Sequence, residues 1–220
     1  MAVVLYGAGG QARVLLELMD RAGICPIAGM VDDNPRLHGT KIDGIPVLGP
    51  IDRLPGLVRV HRIHRAVIAI GDNNARRKFA EHARSLGLRL PVLIHPNACV
   101  SPTAHLGDGT VVMAGAVIAA HARIGEVAIV NTRASIDHDC MIGDYVHIGP
   151  GVTLAGSVTL GNGVFVGTGA NIIPDMCIGD DSIVGAGATV IRDVPSNTVV
   201  VGCPARPIRT TTPTGNVQRV

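Results

Sequence analysis

Tryptophan is absent from this 220-residue chain, and only Tyr6, Phe79, Tyr145 and Phe165 carry aromatic rings. Without aromatic platforms, single-stranded nucleic acid has little to stack on. Charge is sparse as well. Only 16% of residues are charged, and 19 Lys and Arg against 17 Asp and Glu leave a formal net charge of +2, so no broad basic face for nucleic acid is implied. No apolar run reaches the ~18 residues of a membrane span, and the first six residues read as a short strand rather than a secretion signal. There is no CxxC pair. The five scattered cysteines (Cys25, Cys99, Cys140, Cys177, Cys203) read as reduced thiols of a cytoplasmic protein. The histidines show no spacing that assembles a metal site, and no catalytic metal is expected.

What the chain does have is a period of six. Leu106, Val112, Ile118, Ile124, Val130, Ile136, Ile142, Ile148, Leu154, Leu160, Val166, Ile172, Ile178, Val184 and Val190 follow one another without a miss. Val100 and Ile94 extend the series backward. Six matches neither the 3.6 of a helix nor the 2.0 of a simple strand. It is the mark of a hexapeptide-repeat parallel β-helix, in which three flat sides make a coil of about 18 residues. The residue two before each aliphatic one also points inward and is small: Ala98, Ala104, Thr110, Ala116, Ala122, Ala128, Ala134 and Cys140, then Val146, Val152, Val158, Val164 and Ala170. The residue after it is often glycine (Gly107, Gly125, Gly143, Gly149, Gly161, Gly167, Gly179, Gly185). The expectation is that these glycines supply positive φ at the corners.

Residues 1–93 lack this period and alternate strand with helix. Ala2–Tyr6 and Ile27–Val31 read as strands, Gln11–Arg21 as an amphipathic helix, Ala66–Ile70 as a strand, and Ala75–Leu86 as a helix. That order predicts a small Rossmann-like parallel βαβ domain, whose ligands sit at the carboxyl ends of strands. Three loops meet that rule: 7–11, 32–34 and 71–74. A glycine loop opening a helix can hold phosphate on backbone N–H groups. Ala12 stands where a full dinucleotide fingerprint has its last glycine. The domain is also only half the size of a dinucleotide fold, which favours a mononucleotide or nucleotide-sugar. A ligand-free cap domain is the alternative. Residues 94–207 are assigned to the β-helix and 208–220 to a flexible tail.

Several segments together resemble one family. They are Tyr6-Gly7-Ala8-Gly9-Gly10, Val31-Asp32-Asp33, Ala69-Ile70-Gly71-Asp72-Asn73, Leu93-Ile94-His95-Pro96, Asn131-Thr132, Ile136-Asp137-His138-Asp139-Cys140 and Val201-Gly202-Cys203-Pro204-Ala205-Arg206. The family is the left-handed β-helix sugar acetyltransferases with an N-terminal nucleotide-sugar domain. It includes UDP-4-amino-sugar and GDP-perosamine N-acetyltransferases and sialic acid O-acetyltransferases. The resemblance covers the chain to about residue 207. It implies a left-handed coil, acetyl-CoA as co-substrate, and a homotrimer with active sites between subunits.

His138 falls two residues after core Ile136, with Ala120 and Gly156 at the equivalent places one coil away, which leaves room beside an imidazole. Imidazole suits proton transfer near neutrality, and a carboxylate beside it can orient the ring. Asp139 and Asp137 both flank it. The resemblance makes His138 the general base and Asp139 its partner. It implies that His147, Thr168 and Ala186 meet acetyl-CoA. The oxyanion of the tetrahedral intermediate needs a hydrogen-bond donor, and a backbone N–H near Gly156 is the candidate, which puts Gly156 at the acetyl-CoA site as well. It places Gly10, Gln11, Ala12, Asp32, Asp33, Gly71 and Asp72 around the nucleotide-sugar. Gln11 departs from the family, which often has His there. His61 and His64 read as solvated, and His95 as structural. The implied reaction is N-acetylation of a UDP- or GDP-linked 4-amino-4,6-dideoxy sugar. O-acetylation of a sugar such as sialic acid, and a zinc carbonic-anhydrase-like or non-catalytic trimer, stand as alternatives.

Overall fold

The computed structural model describes residues 2–211. The chain divides into two compact units, Met1–His95 and Pro96–Val220. Strand Leu93–Ile94, the first repeat of the six-residue series, falls in the first of them.

The first unit is built on three parallel strands in the order β2 (Ile27–Val31), β1 (Ala2–Tyr6), β5 (Ile63–Ile68). Residues Val3 to Tyr6 of the central strand are all fully buried. A parallel strand covered on both faces reads as such an unbroken apolar run. Helix α1 (Gly10–Arg21) lays Ala12, Leu15, Leu16, Leu18 and Met19 inward. A small hairpin, β3 (Lys41–Ile42) with β4 (Ile45–Pro46), extends the β2 side through a Met30–Val47 bridge. Helix α2 (Leu54–Val60) leads into β5, and α3 (Asn73–Ser85) follows it. The third strand therefore begins earlier and ends sooner than residues 66–70, because Ile63 already pairs with Ala2. Asp72 caps α3, its Oδ1 accepting from the Ala75 N–H at 2.8 Å.

The second unit is a parallel β-helix of two-residue strands. Its three faces carry strands 99–100 to 189–190, 105–106 to 177–178, and 111–112 onward to 198–201. Register advances by eighteen residues per coil: Val100 pairs with Ile118, Ile118 with Ile136, Ile136 with Leu154, and Leu154 with Ile172. The aliphatic series fills the interior, and Ile136, Ile148, Leu154 and Val166 are 0% exposed. Two buried hydroxyls interrupt the apolar stack and are satisfied. Thr110 Oγ1 donates to Gly125 O and accepts from Ala128 N–H; Ser182 Oγ donates to Pro195 O and accepts from Thr198 N–H.

The corner glycines have a different purpose from the one expected. Positive φ falls two residues later, at Gly109, Gly115, His121, Val127, Arg133, Asp139, Tyr145, Gly151, Ser157 and onward with the same period. The glycines after the aliphatic residue are instead needed for close approach between coils. A Cβ on Gly125 would stand 2.6 Å from Gly143 C, and one on Gly107 2.6 Å from Glu126 N. The same corner carries a side-chain ladder. Asp144, Asn162 and Asp180 each accept, through Oδ1, from the backbone N–H of Glu126, Asp144 and Asn162 respectively, at 2.8, 2.8 and 2.7 Å.

The expected tail is corrected in part. Residues Arg206–Thr210 form a strand antiparallel to Thr198–Val201, so 208–210 are paired backbone covering the last strand of that face. The rest of the expected tail, 212–220, lies outside the described residues.

Candidate active site: a histidine corner and a glycine-loop cavity

In the β-helix, the corner Asp137-His138-Asp139 joins strand Ser135–Ile136 to strand Met141–Ile142. Backbone bonds fix it from both sides: Asp139 N–H donates to Ala120 O at 3.0 Å, and Ser157 N–H donates to His138 O at 2.9 Å. Asp139 takes the left-handed corner position, φ 59°, which Asp tolerates better than most residues. That turn brings its carboxylate back to the preceding ring, with His138 Nδ1 and Asp139 Oδ2 2.9 Å apart. Asp137, the competing carboxylate, turns the other way and accepts the His138 backbone N–H at 2.7 Å. The pairing fixes the tautomer: Nδ1–H donates to Asp139, so the lone pair of the neutral ring sits on Nε2. The ring stays open to solvent, as does its partner.

Gly156, one coil on, is what allows the ring to lie there. A Cβ on it would stand 2.7 Å from both Cε1 and Nε2 of His138. The imidazole pKa is raised above its ordinary 6.5, chiefly by the Asp139 hydrogen bond and then by the charge of Asp137, with Asp175 adding to it. Cys140 takes no part. Its thiol is buried in the coil, donates to Ala155 O, and is pushed to higher pKa by burial.

His147 lies outside this corner, on the outer side of the face that runs 111, 129, 147, 165 and 183. Its ring stands edge-on to Phe165, with centroids 5.1 Å apart, and its Nε2 is 3.4 Å from Asn131 Nδ2. Thr168 and Ala186 are exposed and stack one coil apart on a third location, the corner after strands Phe165–Val166 and Ile183–Val184. One chain therefore brings His138, Asp139 and Gly156 together, and leaves His147, Thr168 and Ala186 elsewhere on the prism.

In the first unit a cavity of about 420 Å³ is lined by Gly7, Gly9, Gly10, Gln11, Asp32, Asp33, Ile51, Ala69, Ile70, Gly71 and Phe79. Gly7 is required by geometry: its φ is +95°, and a Cβ there would stand 2.9 Å from Ala69 O. Gln11 Nε2 is buried and has no hydrogen-bond partner among the described residues. Both oxygens of Asp32 are engaged, Oδ2 by Ala8 N–H and Oδ1 by Asn34 N–H, each at 2.8 Å. Asp33 Oδ1 accepts from Ile51 N–H at 3.0 Å. These carboxylates thus tie the 32–34 loop to the glycine loop at Ala8 and to the segment at Ile51, as well as edge the cavity. Two expected residues are not on its wall. Ala12 is fully buried on the inner face of α1, and the Asp72 carboxylate caps α3. Ala69 and Ile70, from the segment that leads into Gly71, line it too, and Ile51 and Phe79 are lining residues that no motif marks. A larger cavity, about 730 Å³, opens elsewhere on the same unit beside Val14, Glu17, Ile24 and Ile45. None of the glycine-loop residues or loop carboxylates lines it. Among the described residues, no group of three or more His, Cys, Asp or Glu is placed to hold a metal ion, and no helix is long and apolar enough to cross a membrane.

A β-helix with one histidine–carboxylate corner, joined in sequence to a glycine-loop βαβ unit, defines a class, and the comparisons agree with it. Residues 2–83 match the PglD N-terminal domain, and residues 121–156 match the bacterial transferase hexapeptide (six repeats). A His→Asn variant of perosamine N-acetyltransferase from Caulobacter crescentus, in complex with CoA and GDP-perosamine, is 42% identical. Its structure superposes with a TM-score of 0.90 over 95% of this chain and 97% of that one. The acetyltransferase domain of PglB from Neisseria gonorrhoeae, in complex with acetyl coenzyme A, is 38% identical with a TM-score of 0.85, over 94% of this chain and 98% of that one. UDP-N-acetylbacillosamine N-acetyltransferase of Bacillus subtilis is 42% identical over 115 residues, 51% of each protein, so the match spans about half of that curated relative. The chain belongs to the hexapeptide-repeat sugar acetyltransferases that carry a PglD-type N-terminal domain.

Proposed function

We propose that the chain transfers the acetyl group of acetyl-CoA to the 4-amino group of a UDP- or GDP-linked 4-amino-4,6-dideoxy sugar. The observation that carries the reading is the His138–Asp139 pair held over Gly156. The Nε2 lone pair, facing away from Asp139, takes the proton of the acceptor amine as its nitrogen attacks the thioester carbon. The tetrahedral intermediate collapses, the C–S bond breaks, and the proton on the imidazolium passes to the departing CoA thiolate. Asp139 keeps the tautomer and stabilises the transient cation. The oxyanion needs a donor. Gly156 N–H is suited, because among the described residues it makes no backbone hydrogen bond and adjoins the ring.

The nucleotide belongs in the glycine-loop cavity, with phosphate near the first turn of α1. Gly10, Gln11, Asp32, Asp33 and Gly71 form its wall, and Asp72 and Ala12 support it from behind. Acetyl-CoA is assigned to His147, Gly156, Thr168 and Ala186. These residues occupy different faces and corners of one prism, so we infer a homotrimer in which neighbouring copies bring them together. Exposed Val117 and Met141, 41% and 48% accessible on two outer faces, suit such packing. Solution in the cytoplasm, where acetyl-CoA is available to such an enzyme, completes the proposal.

The test is release of CoA thiol from acetyl-CoA with UDP- and GDP-linked 4-amino sugars side by side, followed by mild alkali on the product. Release with one of them and an alkali-stable amide support the reading. No release with either, and release with sialic acid to give an alkali-labile ester, would replace it with the O-acetyltransferase reading.

A further inference from the structure

Arg76 is the largest side chain that the first unit buries completely, 1% exposed. It stands in the first turn of α3, where a cation opposes the helix dipole. Burial lowers its pKa to about 10, so it is charged at neutral pH, and the nearby charge of Asp72 works in its favour. A guanidinium stripped of water and set against a dipole needs specific partners. The loop itself supplies partners. Nη1 donates to Gly71 O at 3.0 Å and approaches Ile70 O at 3.5 Å, while Nη2 donates to Asn73 Oδ1 at 2.9 Å.

Ile70 and Gly71 are wall residues of the 420 Å³ cavity. Arg76 grips that wall from beneath. Holding the Gly71 carbonyl inward also sets the peptide plane it shares with Asp72, whose N–H must then point away from the guanidinium. We propose that Arg76 is a positioning residue for the nucleotide half of the substrate, keeping the loop 70–73 in its binding shape before the ligand arrives. This rests on the nucleotide-sugar reading above. The forked guanidinium reaches a carbonyl and a side-chain amide at once, which a single ammonium cannot do in the same geometry. A loop released from that grip is ordered only on binding, and the cost falls on nucleotide-sugar affinity. The His138 corner belongs to the other unit, so the chemical step and acetyl-CoA affinity are untouched.

The experiment measures kcat and both KM values for the full chain and for Arg76→Met, Arg76→Lys and Asn73→Ala, with thermal melts of each. Arg76→Met is expected to raise KM for the nucleotide-sugar about tenfold or more, with kcat and KM for acetyl-CoA within about twofold of the parent. Arg76→Lys, which keeps one donor, should recover part of that loss. Asn73→Ala, which leaves the guanidinium and its Gly71 bond in place, should cost about two- to fivefold in the same KM and nothing elsewhere. If Arg76→Met does not fold, the other two variants carry the test. A fall in kcat alone, or equal rises in both KM values, would overturn the proposal and leave Arg76 a structural residue. Failure of the unmodified protein to turn over any nucleotide-sugar would overturn the functional reading itself, and is seen in the parent rather than in the variants.

Discussion

In the β-helix, corner 137–139 and its neighbours 119–121 and 155–157 share one backbone. The same hydrogen bonds run from Asp139 to Ala120 and from Ser157 to His138, and all three corners carry positive φ at the third residue. Side chains alone separate them: Ala and Gly where the middle corner has histidine. The βαβ unit works the other way. Its cavity has no repeated counterpart, and its loops are held one by one: Asp32 ties the 32–34 loop to Ala8, Asp33 ties it to Ile51, and Arg76 holds Gly71 to the helix that follows. A repetitive scaffold makes a site by one substitution against a constant background. A loop cluster makes one through cross-ties.

That contrast can be broken at several points. His138→Ala should remove the one chemical group of its corner and lower turnover about 10²–10⁴-fold, read as CoA thiol release, while the melting curve stays where it was. Leu154→Ala strikes the repeat rather than the site. It should cost about 2–5 kcal/mol by urea unfolding, since Leu154 is fully buried between Ile136 and Ile172. Gly156→Ala sharpens the comparison, because alanine is what the opposite neighbour, Ala120, already carries. Its Cβ would stand 2.7 Å from the His138 ring, so the ring must move. Turnover should fall about tenfold or more with little change in stability. Asp144→Ala should be the mildest, removing one rung of the corner ladder at about 0.5–1.5 kcal/mol, measured by the unfolding midpoint with activity retained.

The repeat was fully legible in the sequence because its core is written once every six residues. Ile118, Ile136, Leu154 and Ile172 stack as the period requires. The corner glycines were legible as a pattern but not as a cause. Their need for space is set by the next coil, eighteen residues away, while the left-handed positions fall on residues as varied as Val127, Arg133 and Tyr145. His138 and Gly156 could be paired from spacing alone, since a solenoid converts sequence distance directly into neighbourhood. The βαβ site was legible only as three loops. Ile51 and Phe79 reach the cavity through tertiary packing, and Ala12 and Asp72 leave it for the helix core and the helix cap. Nothing periodic marks Arg76, and its one sequence signal is a cation where the first turn of a helix disfavours it. The strand at 206–210 was hidden because it pairs antiparallel at the end of the solenoid, where the period no longer applies.

The central claim, that His138 oriented by Asp139 takes the proton, is tested most directly by the pH dependence of kcat/KM. The base works when unprotonated, and Asp139 raises its pKa above 6.5, so the rate should climb with pH through a midpoint above that value. In Asp139→Asn the loss of the carboxylate lowers the pKa, and the same limb should move to lower pH. An unmoved limb in Asp139→Asn, together with near-parental turnover in His138→Ala, would contradict the account.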